Sequence, residues 1–189
     1  MPPEATASKF ATALVLASGR GTRFLASGGG THKLQALLAG KPVLQHVLDA
    51  VRDSGLLFHL EDGGHAGMGD SIAAAVRATP HAAGWLMVLG DLPLVQSATL
   101  QLVAQALHHL PHQHDVVVPV FEGQRGHPVA FSARCKEALT ALQGELGAAS
   151  VVRRFGVLEL PVDDVGVVTD VDTVDALQRA EALFRARGG

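Results

Sequence analysis

Short apolar runs, each too brief for a helix, alternate along the chain with segments whose apolar residues recur at helical spacing. Thr12–Leu16, Leu56–Leu60, Trp85–Leu89, Val116–Val120, Val129–Phe131 and Val157–Val162 read as strands. Between them, Val43–Ser54 places Val43, Leu44, Val47, Leu48 and Val51 on one face, with Pro42 at the first turn and Gly55 beyond the end. Further helices are expected over Asp70–Ala78, Ser97–Leu110 with Ser97 as cap, Ala133–Leu142, Ala148–Phe155, and Thr173–Arg187 with Thr173 as cap. The glycine-rich stretch after the first strand reads as a loop. Strands alternating with helices predict an α/β chain with a mostly parallel sheet covered on both faces. Ligands of such sheets gather at the carboxyl ends of the strands.

A chain of 189 residues with 48% hydrophobic content can bury one core and is short for two. There is no internal repeat and no linker. No apolar run approaches the roughly 20 residues that span a bilayer, so no membrane partner is expected. The opening residues lack a basic stretch followed by an apolar one, which predicts a soluble, cytoplasmic protein. One cysteine, Cys135, excludes an internal disulfide and a multi-cysteine zinc site, and it reads as a passive, half-buried residue. A net charge of −3 and 4% aromatic residues offer neither footprint nor stacking platform for nucleic acid. His108, His109, His112 and His114 straddle Pro111 at a helix end and read as a solvated cluster rather than a metal site.

Three segments carry chemistry. Leu16-Ala-Ser-Gly-Arg-Gly-Thr-Arg-Phe24 sets two glycines and two arginines directly after a strand, where free backbone N–H groups can cradle phosphate. Phe24 stands where a dinucleotide fingerprint needs its third glycine, and a plain glycine-rich turn is an equal reading of this segment alone. Lys33 follows Ser27-Gly-Gly-Gly-Thr-His32; a flexible arm can bring its ammonium to the same phosphates, and an ordinary surface lysine is the alternative. In Leu89-Gly-Asp-Leu-Pro93, Pro93 stops the strand and Gly90 permits close approach, which aims Asp91 at the ligand edge. A turn aspartate is the alternative there.

Together, Leu-Ala-Ser-Gly-x-Gly-x-Arg, a downstream Lys-Leu and Gly-Asp-Leu-Pro resemble the molybdenum cofactor cytidylyltransferases and the related guanylyltransferases. The resemblance extends through Gly67-Met-Gly-Asp-Ser71, Arg125-Gly-His-Pro-Val129 and Asp170-Val-Asp-Thr173. It implies a Rossmann-like three-layer sandwich forming a single nucleotidyltransferase domain over 12–187, after a disordered extension over 1–11. The final Arg187-Gly-Gly is expected to be disordered too. By the same resemblance Leu16, Ala17, Ser18, Gly19 and Gly21 wrap the nucleotide, and Arg23 and Lys33 engage its triphosphate. Asp91 holds Mg2+, with Asp170 as second metal ligand and Asp172 as a weaker substitute. Ser71 lies near base and ribose, while Gly126, His127 and Pro128 shape the acceptor side. The implied reaction joins a nucleoside monophosphate to the terminal phosphate of a molybdopterin-type cofactor, with release of pyrophosphate. A molybdoenzyme or its cofactor-insertion chaperone is the implied recipient. Cytidylyl members of the family usually carry Leu-Ala-Ala-Gly and guanylyl members Leu-Ala-Gly-Gly, so a side chain at Ser18 favours CTP over GTP.

The chain departs from the pattern in three places. Between Ser54 and Gly67 there is room for one strand–helix unit fewer than the family norm. Ser27–Thr31 reads as an insertion that lengthens the arm to Lys33, and Val174 replaces the usual proline. Two alternatives remain open: a guanylyl or other nucleotidyl transferase with a different phosphorylated acceptor, or an inactive cofactor-binding module.

Overall fold

The computed structural model describes residues 11–188. In chain order the elements are β1 (Thr12–Leu16), α1 (Thr22–Ala26), β2 (Leu37–Leu38), β3 (Lys41–Pro42), α2 (Val43–Asp53), β4 (Phe58–Glu61), α3 (Met68–Ala78), β5 (Gly84–Leu89), α4 (Ser97–His108), β6 (Val116–Phe121), β7 (Gln124–Arg125), β8 (Val129–Ser132), α5 (Lys136–Thr140), α6 (Ala149–Val152), β9 (Val157–Pro161) and α7 (Val174–Ala186). The main sheet runs β4-β1-β5-β8-β6-β7, with β9 also on β6. β1 is parallel to β4 and β5, and β9 to β6, while β8 is antiparallel to both of its neighbours. Five of the seven strands, β4, β1, β5, β6 and β9, therefore point the same way. This is the mostly parallel, Rossmann-like α/β sandwich expected, with only β4 between α2 and α3.

Period-two alternation explains why the strands are apolar throughout. Ala13, Val15, Leu86 and Val88 face one layer with Val47, Val51, Leu100 and Val103 of α2 and α4. Leu14, Leu16, Trp85 and Met87 face the other with Ile72 and Val76 of α3 and Leu139 of α5. Both faces are dry, so polar alternation has no place in these strands. A third cluster joins Phe24, Leu34 and Leu38 to Leu94, Val171 and Ala180, seating the first loop against α7.

Several local expectations are corrected. Ser97 is the first residue of α4, and the position before it is Gln96, whose side chain makes no cap. The carboxylate of Asp164 caps the helix instead, accepting from Gln96 N at 3.0 Å and Thr99 Oγ1 at 2.8 Å. Arg187 is not loose: it donates to the Leu94 carbonyl at 2.9 Å and to Asp164 at 3.1 Å. Ala11 is buried at 4% exposure, and the rest of the expected extension, with Gly189, lies outside the described residues. The helix expected over 133–142 is broken into a 3-10 turn, Ala133–Cys135, and α5. The chain leaves helical geometry after Ala141 so that Gly144 can meet α3, accepting from Gly69 N at 2.8 Å and donating to Asp70 at 3.1 Å. The first loop contains a short helix, α1, and the helix expected over 148–155 shrinks to α6. Among the described residues no helix is long and apolar enough to cross a membrane.

Candidate active site

The carboxyl ends of β1, β4 and β5 lie side by side, because the register pairs Leu16 with both Glu61 and Leu89. The chain leaves β1 clamped on both flanks: Ala17 N donates to the Glu61 carbonyl and Gly90 N to the Leu16 carbonyl, each at 2.9 Å. A Cβ at Gly90 would stand 3.0 Å from the Leu16 oxygen, so glycine keeps Asp91 at this edge. Above the edge opens a cavity of about 690 Å3 lined by Ser18, Gly19, Gly21, Arg23, Lys33, Asp91, Gly126, His127, Asp170 and Asp172 among others. The sequence motifs thus converge on one cavity. Leu16, Ala17, Ser71 and Pro128 do not line it. Ser71 is buried behind it and reaches it through Ser18, the two hydroxyls 2.5 Å apart.

A charge cluster occupies its floor. Lys33 Nζ lies 2.5 Å from Asp91 Oδ2 and 2.6 Å from Asp172 Oδ1, and Arg23 lies 2.7 Å from Asp172 Oδ2. Burial disfavours the Lys33 ammonium, but the two carboxylates outweigh it and its pKa stands above the ordinary lysine value. The Lys33 side chain is 12% exposed, against 78% for Arg23, so one cation is enclosed and the other reaches Asp172 from the surface. Despite the preceding insertion, Lys33 sits at Asp91. The sequence ranked Asp172 below Asp170; the fold makes Asp172 the group that gathers both cations. Backbone pairing brings this distant segment in, Val171 N donating to the Asp91 carbonyl at 2.9 Å.

Two further observations bear on ligands. Asp91 Oδ1 is buried with no hydrogen-bond partner, a costly state that a cation relieves. Asp170 shares the cavity, yet among the described residues no group of three or more His, Cys, Asp or Glu could hold a metal. Such a pair suits a divalent ion that takes its remaining ligands from substrate phosphates and water. His127 is held over the same floor, its N–H donating to the Val167 carbonyl at 2.8 Å. Burial pushes its pKa below the usual histidine value, against the opposing pull of the Met87 backbone, Asp91 and Asp170. At Gly126 a Cβ would stand 2.4 Å from the Val167 oxygen, so only glycine lets this turn close.

Sequence reasoning missed His32. Its Nδ1 accepts from Leu34 N at 3.3 Å, which leaves the proton on Nε2 to donate to the Gly19 carbonyl at 2.7 Å. The ring thereby pins the glycine loop to the 3-10 turn at Lys33–Gln35. Its place beside Lys33 in a glycine-rich run was the available signal. Cys135 is buried, and burial followed by Asp115 pushes its thiol up to about 11, which makes it unreactive.

A cavity at the strand ends, glycine-loop backbone, two cations and adjoining carboxylates stand together on a Rossmann-like α/β fold that nucleotidyltransferases share. The chain belongs to the MobA-like NTP transferase domain family, whose sequence model matches residues 50–165. It is similar over 129 residues, at 32% identity, to the bifunctional protein GlmU of Zymomonas mobilis, covering 55% of this chain and 28% of that protein. The chain spans roughly a quarter of the length of the curated relatives it matches. Among solved structures, Rv0371c from Mycobacterium tuberculosis H37Rv superposes with a TM-score of 0.75 at 27% identity, over 90% of this chain and 96% of that one. A manganese complex of Rv0371c gives 0.70 at 26%, over 90% and 97%. Molybdopterin-guanine dinucleotide biosynthesis protein A from Archaeoglobus fulgidus shares the fold, with 0.68 at 19% over 93% and 99%.

Proposed function

We propose that this chain transfers CMP from CTP to the terminal phosphate of a molybdopterin-type cofactor, which then passes to a molybdoenzyme or its insertion chaperone. A phosphate oxygen of the acceptor attacks the α-phosphorus, a new P–O bond forms, and the bond to the β-phosphate bridge breaks to release pyrophosphate. No protein nucleophile is needed. The observation that carries the proposal is the convergence of Arg23, Lys33, Asp91 and Asp170 on one cavity beside the loop Ser18–Gly21. Arg23 and Lys33 would neutralise the triphosphate, trading their carboxylate partners for phosphate oxygens. Mg2+, held by Asp91 and Asp170, would supply charge neutralisation on the phosphates. Gly126 and His127 would border the acceptor, whose alignment with the α-phosphorus is the larger part of such catalysis.

CTP is favoured because Ser18 is not a free rotor. Its hydroxyl is tied to Ser71, and Ser71 donates in turn to the Gly67 carbonyl at 3.2 Å. A side chain fixed in this way crowds a purine and tolerates a pyrimidine. Pyrophosphate release measured side by side with CTP and GTP, in the presence of Mg2+ and molybdopterin, tests the proposal. Faster turnover of CTP, with the preference relaxed in Ser18→Gly, is expected. Faster use of GTP overturns the cytidylyl assignment and leaves nucleotidyl transfer standing; no pyrophosphate with either nucleotide overturns both.

A further inference from the structure

His127 stands where the chain enters β8, two residues before Val129, which pairs with Met87 of β5. Its backbone is pinned on both sides: Gly126 N donates to the Pro119 carbonyl and His127 N to the Val167 carbonyl, each at 2.8 Å. The ring is pinned as well. It hydrogen-bonds to the Met87 backbone, while its Nδ1 is buried with no hydrogen-bond partner among the described residues. The nitrogen that donates to the Met87 carbonyl is therefore Nε2, and in the neutral ring Nδ1 keeps a bare lone pair. Asp91 Oδ1, from the same cavity, is the second buried atom left bare there. The carboxylates of Asp91 and Asp170 both act on the ring.

We infer that His127 is a ligand of the divalent ion, binding it through Nδ1 together with Asp91 Oδ1. This rests on the transfer reading above and adds a nitrogen to an otherwise oxygen shell. A histidine that ligates a metal characteristically donates its other ring N–H to a carboxylate, a backbone carbonyl or water, which fixes the tautomer and aims the ring. Met87 plays that part here. Buried acceptors without a donor are costly, and one cation relieves both. A nucleotide hydroxyl would satisfy Nδ1 but leave Asp91 Oδ1 bare. No three His, Cys, Asp or Glu side chains among the described residues close on one ion. Asp91 and His127 are therefore the direct protein ligands, Asp170 acts through its charge, and phosphate oxygens and water fill the remaining positions. The consequence is ion choice, because an imidazole nitrogen favours a transition metal such as Co2+ over Mg2+, which prefers oxygen.

The test uses the full chain saturated with CTP, with Mn2+ as a paramagnetic probe. Pulsed electron paramagnetic resonance is expected to show one directly bound imidazole nitrogen. The signal should vanish in His127→Gln, whose amide can still donate to Met87 while nothing replaces Nδ1. It should persist in His65→Gln, which alters the other histidine lining the cavity. Co2+ should displace the bound Mn2+ at least about tenfold more readily than Mg2+ does. His127→Asn offers an oxygen near the place of Nδ1 and should shrink that advantage about tenfold. If His127→Gln releases Mn2+ outright, the His127→Asn comparison decides. No nitrogen signal in the wild type, a signal that survives His127→Gln, or an unchanged Co2+ advantage in His127→Asn overturns the inference. If CTP and molybdopterin yield no pyrophosphate while the nitrogen signal appears and depends on His127, the transfer reading fails and the ligand assignment stands. Turnover without a nitrogen signal gives the reverse.

Discussion

Lys33 carries two ion pairs with partners far along the chain, 58 and 139 residues away, and residue-scale consequences begin with them. Asp91→Asn keeps the shape of the side chain and removes its charge. It is expected to lower turnover at least about a hundredfold, since removing one electrostatic contributor commonly costs that much. Asp91 stands at a strand end rather than inside a packed face, so the variant should melt near the wild type; a purified Asp91→Asn protein with wild-type turnover would sink the assignment. Glu61 sets a different test. Burial pushes its pKa up, but the His65 ring at 2.9 Å, Gly63 N–H at 3.1 Å and His59 at 3.4 Å outweigh it, and the net value lies below the ordinary 4.5. A carboxylate with a depressed folded pKa adds stability above its unfolded pKa and loses it as pH falls through the folded one. Urea titrations should therefore show Glu61→Gln less stable than wild type at pH 7, with the gap closing between about pH 5 and pH 3. A gap independent of pH would mean the carboxylate's charge is not what these contacts stabilise.

At the scale of elements, legibility follows the source of the ordering force. Thr173 was readable as the cap of α7, because its hydroxyl accepts from Ala176 N three residues on at 3.1 Å. The cap of α4 was not, because Asp164 lies 68 residues beyond Gln96 and no local pattern announces it. Asp164 is buried and fully engaged, with Gln96 N, Thr99 Oγ1, Gly166 N and Arg187 as donors. It thus joins the start of α4, the 3-10 turn Val165–Val168 and the end of α7. Asp164→Ala strips the partner from a half-exposed guanidinium and from buried donors, and is expected to destabilise by roughly 3 kcal/mol, read as a lower urea midpoint at unchanged slope. Thr99→Val, which removes one of the four donors, should cost much less. A loss for Asp164→Ala no larger than for Thr99→Val would show that the helix start is held by packing alone.

At the scale of the whole molecule, the order of the longer strands and helices was legible, while the short α1, β2, β3 and β7 and the strand directions were not. Val129–Phe131 is as apolar as its parallel neighbours, and nothing in its periodicity tells that β8 runs against β5 and β6. The site motifs were legible as a set because a parallel sheet delivers its strand ends to one edge; which side chains touch was not, as Asp172 shows. That arrangement bears on how phosphate is recognised by the assembled domain, for Arg23 and Lys33 share a partner, Asp172, that only the fold brings to them. If Gly19, Gly21, Arg23 and Lys33 form a triphosphate site, CTP should bind at least about tenfold more tightly than CMP at low salt. Salt separates the two cations. At 0.1 M the screening length is about 10 Å, which weakens exposed charges far more than buried ones. Arg23 is exposed and Lys33 is nearly enclosed, so raising the salt should shrink the preference to a residue that persists. Arg23→Ala should remove the salt-sensitive part, and Lys33→Met the part that survives. Calorimetry with CTP and CMP across a salt series measures both, and equal affinities at low salt would mean that these residues do not bind the triphosphate.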